Sequence, residues 1–324
     1  MNKKISIGGQ ALIEGIMMKG PEKTSMAVRL PDGGIDLTDM TKKPLRERFK
    51  VLGLPFIRGV INFVEAMIEG YKALMLSADK SGFTEIEEEK ENGEKKKTRL
   101  SGAFMNALMI IAAVLGVALA IVLFMLLPRL AVDGIGSLSG AALPEWARAL
   151  SEQVIKMAIF VFYVWAVAHM KDIKRVFMYH GAEHKTIFCF ENSLPLTVEN
   201  VRKQKRFHPR CGTSFMILMI LVGFLFSTVV QLIFKDVYTN RWVWVAVKIL
   251  MVPFICGVGY ELLKLCGRHD NVVTRIIAAP GLWLQRITTK EPDDSMIEIA
   301  IAAVEDVLPK DETIAEKGED VAEQ

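Results

Sequence analysis

The 324-residue chain is poor in cysteine and shows no segment typical of export. Its four cysteines, at positions 189, 211, 256 and 266, follow no disulfide pattern, which argues against a small disulfide-stabilised secreted protein. Residues 5–18 contain Gly8, Gly9, Gln10 and Glu14, so we expect no cleavable signal peptide there. Inverted repeats are not evident either, and the sequence therefore gives little support for a transporter.

Charge is absent from long parts of the chain. Hydrophobic residues make up 51% of the sequence and the mean hydropathy is +0.29, while the charged residues concentrate between apolar stretches. That partition is typical of a polytopic membrane protein. Because about 20 helical residues cross a hydrocarbon core, we predict four transmembrane helices, at 103–128, 154–170, 214–234 and 242–260. The predicted fold class is therefore mainly α, with a small α+β N-terminal cytoplasmic domain.

The loop at 171–213, between the second and third predicted transmembrane helices, is rich in lysine and arginine, whereas the other two loops carry few cations. The positive-inside rule places this loop and both termini in the cytoplasm. Within the fourth predicted crossing, Lys248 would be costly in contact with lipid. We expect it to face other helices or water, or to snorkel towards the interface.

The residues outside the predicted membrane domain, 101–264, fall into four segments. Residues 1–80 read as a small cytoplasmic or peripheral domain, with a strand kinked at Gly15, a β-hairpin around 31–34 and an amphipathic helix within 45–78. That helix is expected to lie on the membrane surface or to cover a small core. Residues 81–100 form a charged linker, 265–304 an interfacial segment, and 305–324 a disordered acidic tail.

The order His-x-x-Glu-His at His180, Glu183 and His184 is the strongest chemical signal. In a helix, residues i and i+4 project from the same face about one turn apart. Two imidazoles can then bind one divalent ion, zinc or a similar metal, and Glu183 can act as general base on its water. The alternative is an exposed helix end with solvated imidazoles, favoured by Gly181, which weakens a helix by about 1 kcal/mol.

A catalytic zinc usually keeps three protein ligands, so a third donor is needed. We rank His208 first, because it comes just before the third predicted crossing, then Glu261 at the cytoplasmic end of the fourth, and then Cys211. Glu14 is a further option. The alternative for Glu261 is an ordinary salt bridge, since Lys264 lies nearby in the sequence.

Two arginines beside His208 could serve binding rather than catalysis. Arg206 and Arg210 are candidates for holding an anionic group of a substrate, and their alternative role is contact with lipid phosphates. His169 is excluded from the metal site, because eleven residues of helix would place it about 16 Å from His180 along the axis.

Several segments resemble one bacterial family: GGQALIEGIMMKG (8–20), PFIRG (55–59), YHGAEHK (179–185), and ENVR to RFHPRCGT (199–213). The chain resembles the YqhQ-like family of bacterial integral membrane proteins, which are described as predicted metal-dependent enzymes. The resemblance covers nearly everything from residue 6 to about residue 284. It implies a multi-pass protein of the bacterial cell (inner) membrane and supports a role for the histidines, but it implies no substrate.

Two functions follow from these observations. The first is a metal-dependent, hydrolytic membrane enzyme that acts on a phosphoester, ester or amide, possible substrates including membrane lipid. The second is a non-enzymatic module that docks a polyanionic partner, such as the ribosome, a protein-export complex or anionic lipid. A homo-oligomer is compatible with either function.

Overall fold

The computed structural model describes residues 7–45, 49–83, 85–89, 95–99, 102–139, 144–209, 211–234, 241–269 and 271–309. Over these residues the chain is mainly helical, with a small antiparallel sheet close to the N-terminus. The predicted fold class is confirmed at that level.

The N-terminal sheet has four antiparallel strands in sequential order: β1 (Gly8–Leu12), β2 (Gly15–Lys19), β3 (Thr24–Arg29) and β4 (Ile35–Asp39). The predicted hairpin forms, since β3 and β4 pair directly and Gly33 has a φ of 88° in the turn. The predicted kink at Gly15 is wrong, because the chain reverses between Leu12 and Gly15, which are paired. Glu14 adopts a φ of 50° in this turn.

A short 3-10 turn, Lys50–Gly53, precedes helix α1 (Ile57–Lys80), which connects the sheet to the apolar helices. Its inner face consists of small residues. A Cβ on Gly59 would lie 2.8 Å from the Cβ of Tyr260, and a Cβ on Gly70 would lie 2.5 Å from the side chain of Gln10. These glycines therefore allow α1 to approach both partners closely.

Part of the predicted charged linker is regular structure. Strands β5 (Glu85–Glu89) and β6 (Lys95–Arg99) form an antiparallel pair. The register sets Glu87 opposite Lys97 and Glu89 opposite Lys95. Because these residues show no apolar alternation, the sequence analysis did not predict this hairpin.

Within the described residues, three helices are long and apolar enough to cross a membrane: Ile110–Leu138, Trp146–Val167 and Trp242–Cys266. They lie in α2 (Gly102–Ile121) continued through a π-helical turn (Val122–Leu126) into α3 (Leu127–Ser139), in α4 (Glu145–Val167) and in α8 (Arg241–Arg268). The remaining predicted crossing falls in α7 (Gly212–Ile233), where Ser214–Val230 forms a shorter apolar helix. A crossing by α7 stays a prediction.

Lys248 faces another helix. Its Nζ lies 2.8 Å from Oε1 of Glu152 on α4, and the two side chains are 9% and 1% exposed. Of the orientations considered for Lys248, contact with another helix is thus the one observed. Its partner lies just before the predicted start of the second crossing, at 154.

The other helices are α5 (Lys171–Glu191), α6 (Val198–Arg202), α9 (Val272–Thr288) and α10 (Asp294–Glu305). Asp293 caps α10 by accepting a hydrogen bond from the N–H of Met296. Apolar residues on α10 are fully buried against α5 and the sheet: Met296, Ile297, Ile299, Ala300, Ala303 and Val304. The predicted interfacial segment, 265–304, is therefore wrong for α10, because protein covers it on several sides. Val307 is also buried, and the rest of the predicted tail, from 310, lies outside the described residues.

Candidate metal centre

His180, Glu183 and His184 lie in the middle of α5, inside the protein. The helix is continuous through Gly181, and every residue from Tyr179 to Ile187 is buried. It packs on β1 and on α10. The alternative of an exposed helix end is therefore wrong.

The glycine inside the motif has a packing reason. A Cβ on Gly181 would overlap the carbonyl oxygen of Lys290, in the segment that joins α9 to α10. That segment is tied to α5 by a hydrogen bond of 2.8 Å from the N–H of Lys290 to the carbonyl oxygen of Phe177. Glycine lets the two backbones touch next to His180.

Backbone carbonyls fix both imidazoles. Nδ1 of His180 lies 2.9 Å from the carbonyl oxygen of Thr288, and Nδ1 of His184 lies 2.5 Å from that of Arg206. Because a carbonyl oxygen only accepts, each Nδ1 carries the proton and each Nε2 presents a lone pair. The two rings are 4.4 Å apart between centroids.

Cys211 completes the group. It is the N-cap of α7, with extended backbone (φ −86°, ψ 146°). Its Sγ lies 3.1 Å from Nε2 of His180 and also hydrogen-bonds His184. Of the candidate third donors, Cys211, which the sequence ranks third, is the one grouped with the two histidines.

The donor atoms of His180, His184 and Cys211 lie within 4.8 Å of one another. Around a tetrahedral zinc ion, with nitrogen at ~2.0–2.1 Å and sulfur at ~2.3 Å, donor atoms are roughly 3.3–3.6 Å apart. Metal-binding histidines almost always donate their other N–H to a carbonyl or carboxylate, as both do here. The donor set could therefore hold a divalent metal ion.

His208, predicted as the first choice for third ligand, lies beside this group. Its ring centroid is 5.8 Å from that of His184 and 4.7 Å from that of Phe188. Its Nε2 lies 3.4 Å from Oε2 of Glu191. The turn before α7 thus directs Cys211 at the two histidines and His208 at the neighbouring space.

The two carboxylates considered as ligands are held by arginines. Glu261 accepts hydrogen bonds from Nε and Nη2 of Arg58 at 2.7 and 2.6 Å. Glu14 accepts two from Arg175 at 2.5 Å and one from the hydroxyl of Tyr179 at 3.1 Å. The salt-bridge alternative for Glu261 is thus the observed one, with Arg58 as its hydrogen-bonding partner.

A cavity of about 400 Å³ adjoins the group. Residues from five parts of the chain line it: Gly8, Gly9 and Gln10 of β1, Met17 and Lys19 of β2, Ala66 and Glu69 of α1, Glu183, His184 and Ile187 of α5, and His208, Cys211 and Gly212 around the start of α7. Two of the three donor residues, His184 and Cys211, therefore border a space that can receive part of a substrate.

Glu183 enters this cavity opposite β1. It accepts a hydrogen bond from the N–H of Gly9, where a Cβ would lie 3.1 Å from the carboxylate. Burial raises the pKa of Glu183, against the opposing effects of His180, His208 and the Gly9 bond. Burial lowers the pKa of His184 and of His208. A neutral His184 is the form that binds metal.

The arginines predicted to bind an anion are placed differently. The guanidinium of Arg206 lies 3.4 Å from a carboxylate oxygen of Glu291, and only its carbonyl touches the metal group, through His184. Arg210 lies outside the described residues. Other cations of the basic loop are paired as well: Arg175 with Glu14, Lys185 with Glu291, Arg202 with Asp294 and Lys203 with Glu199.

Sequence reasoning missed Gly9 and the carbonyls of Thr288 and Arg206. The pair Gly8-Gly9 could have indicated this approach, because glycine is common where the backbone passes close to a ligand or to another side chain. The carbonyls gave none, since every residue carries one.

Fold and site together define a mainly helical protein with apolar helices compatible with membrane crossing and with a His-His-Cys group that could bind a metal. The chain belongs to a family described as protein of unknown function (DUF1385), which matches residues 54–310. It is 35% identical over 306 residues to the uncharacterized protein YqhQ of Bacillus subtilis (strain 168), covering 93% of this chain and 92% of that protein. No solved structure matches. The resemblance found in the sequence motifs is confirmed.

Proposed function

We propose that this protein is a metal-dependent hydrolase of the bacterial inner membrane, with its centre at His180, His184 and Cys211. One observation carries the proposal. Two imidazoles, each with Nδ1 held by a backbone carbonyl, turn Nε2 towards a thiol beside a cavity that also holds a buried carboxylate.

The residues around the cavity suit hydrolysis. A divalent ion bound by the three donors would supply Lewis-acid polarisation of a substrate oxygen and a water of lowered pKa. The carboxylate of Glu183 would accept a proton from the attacking water and return it to the leaving group. Burial raises the pKa of Glu183, which makes its carboxylate a stronger base for the first of these transfers. His208, kept neutral by burial, would orient the substrate by hydrogen bonding.

The position of the centre favours a substrate at the membrane surface. Cys211 and Gly212 line the cavity, and the apolar helix Ser214–Val230 begins two residues later. The cavity therefore lies about one helical turn from the first apolar residues. We infer that the substrate is a phosphoester, ester or amide of a membrane-attached molecule, reached from the cytoplasm.

The docking function has less support. Its argument was the free charge of the basic loop, but Arg175, Lys185, Arg202, Lys203 and Arg206 each face a carboxylate of the protein itself. Cations that are already paired gain less from a polyanion.

Metal binding is tested by elemental analysis of the full-length protein purified in detergent. We expect about one equivalent of metal in the wild type, a loss in His184→Ala and in Cys211→Ser, and no loss in the control His169→Ala, whose ring bonds only the preceding turn. Reconstitution with Co²⁺ should give a thiolate-to-metal absorption band that Cys211→Ser abolishes and His208→Gln retains. A wild type without stoichiometric metal would refute the centre.

Hydrolysis is tested on metal-loaded protein in vesicles, with lipid phosphomonoesters, esters and amides as probes. Glu183→Gln should keep the metal and lose turnover. If Glu183→Gln keeps its full metal content and turns over substrate as fast as the wild type, Glu183 has no catalytic role. Metal without hydrolysis of any probe by the wild type would favour a structural metal.

A further inference from the structure

Helix α1 presents three different faces. Gly59, Gly70 and Ala73 face the protein, where they contact α8 and the sheet. Glu65, Glu69 and Lys72 form a polar side; in a helix of about 100° per residue these positions lie within one narrow sector.

The third face of α1 is apolar and exposed. Ile57, Val64 and Ile68 recur at spacings of seven and four, so they lie on one side of the helix, and they are 40%, 47% and 49% exposed. The 3-10 turn before α1 continues this surface with Val51 and Leu54, which are 64% and 51% exposed. Large apolar residues thus point away from the protein, while small ones point inward. A helix of a soluble domain shows the reverse arrangement.

The start of α1 lies against a helix that is itself long and apolar enough to cross a membrane. The ring of Phe56 stacks on that of Phe254, with centroids 6.5 Å apart, and a Cβ on Gly59 would lie 3.0 Å from the Cα of Gly257. Phe254 and Gly257 both belong to the apolar segment Trp242–Cys266. Arg58 in this region is paired with Glu261, so neither charge enters an apolar setting alone.

We propose that the apolar face of α1, defined as Val51, Leu54, Ile57, Val64 and Ile68, lies in the lipid bilayer against the acyl chains. Continuity with α8 identifies lipid as the occupant, because the face begins beside Phe254 and Gly257, in the middle of the apolar segment Trp242–Cys266. The polar side of the helix, which includes Glu69, then faces the cavity and water rather than lipid.

This placement affects the candidate metal centre. Ala66 and Glu69 of the same helix line the cavity, so lipid contacts one side of α1 while the cavity occupies another. The bilayer would thereby fix the position of one wall of the cavity. The lipid contact itself does not depend on metal binding and is tested separately.

Spin labelling of the full-length protein in vesicles tests the proposal. Val64→Cys and Ile68→Cys are labelled in a Cys266→Ser background, because Cys189, Cys211 and Cys256 are buried and Cys266 is only half-buried. Glu22→Cys, an exposed position in the turn between β2 and β3, is the water-exposed control. Collisions of each label with oxygen, which partitions into lipid, are compared with collisions with a water-soluble nickel chelate.

Labels at positions 64 and 68 should collide mainly with oxygen, and the label at 22 mainly with the nickel chelate. Equal access of nickel to 68 and 22 would overturn the proposal by showing that the face meets water. Protection of 64 and 68 from both reagents would overturn it as well, since a protein surface, such as a second copy of the chain, would then cover the face.

Discussion

Replacing Gly181 by alanine sets two effects of opposite sign against each other. In an isolated helix, alanine is favoured over glycine by about 1 kcal/mol. In this protein the added Cβ would overlap the carbonyl oxygen of Lys290, which is backbone and cannot rotate away. Forcing such an overlap costs about 1–3 kcal/mol. Losing the hydrogen bond from Lys290 to Phe177 costs a further ~0.5–1.5 kcal/mol, the net contribution of one hydrogen bond to stability.

We therefore expect Gly181→Ala to destabilise the protein by about 1–3 kcal/mol, since the steric effect exceeds the gain in helix propensity. The displaced segment follows Thr288, whose carbonyl orients His180, so metal affinity should fall as well. Thermal unfolding in detergent, followed by loss of soluble monomer, gives the first quantity. Metal titration into the stripped protein gives the second.

Gly134→Ala is the control, because a Cβ there meets no atom within 4 Å. Its melting temperature should equal or exceed that of the wild type. A Gly181→Ala protein that melts at or above the wild-type temperature, with unchanged metal affinity, would refute the close contact between α5 and the segment after α9.

Three further outcomes are expected. Because burial raises the pKa of Glu183 from its usual 4.5, its ionised form is destabilising, so metal-free Glu183→Gln should melt above the wild type at neutral pH, with the difference vanishing in acid. Burial lowers the pKa of His208 from 6.5, so the unfolded chain takes up a proton that the folded protein resists. As the pH falls from 8 to 5, about 1.5 units on either side of the usual histidine pKa of 6.5, metal-free wild type should therefore lose more stability than His208→Gln does. Lys248→Met leaves Glu152 buried without its cation and should cost about 3–5 kcal/mol in thermal unfolding. The double variant Lys248→Met/Glu152→Gln should recover part of that loss. Equal melting temperatures of the single and the double variant would contradict the ion pair.

The sequence predicted the class of fold because its signals are local. Apolar runs long enough to cross a membrane can be counted, and the turn at 31–34 was recognisable from its glycines. The helical spacing of His180 and His184 likewise depends only on neighbouring residues. Predictions failed where a segment's environment was decided by distant parts of the chain, as for α10. Its apolar residues were consistent with an interface, but the sheet and α5 bury them instead.

The third donor shows the same limit. His208 and Cys211 are three residues apart, and spacing alone cannot say which of them turns towards α5. The N-cap geometry of α7 selects Cys211. Glu261 looked available in the sequence, yet Arg58, about two hundred positions away in the chain, holds it.

The sequence by itself determined that two imidazoles and a carboxylate share one turn of helix, and that this helix adjoins apolar segments, because backbone geometry fixes the spacing of near neighbours. Only the tertiary structure decided that the motif is buried, that Thr288 and Arg206 orient its rings, and that a cysteine completes the group. Those contacts join residues up to 108 positions apart, and they exist only when the helices pack.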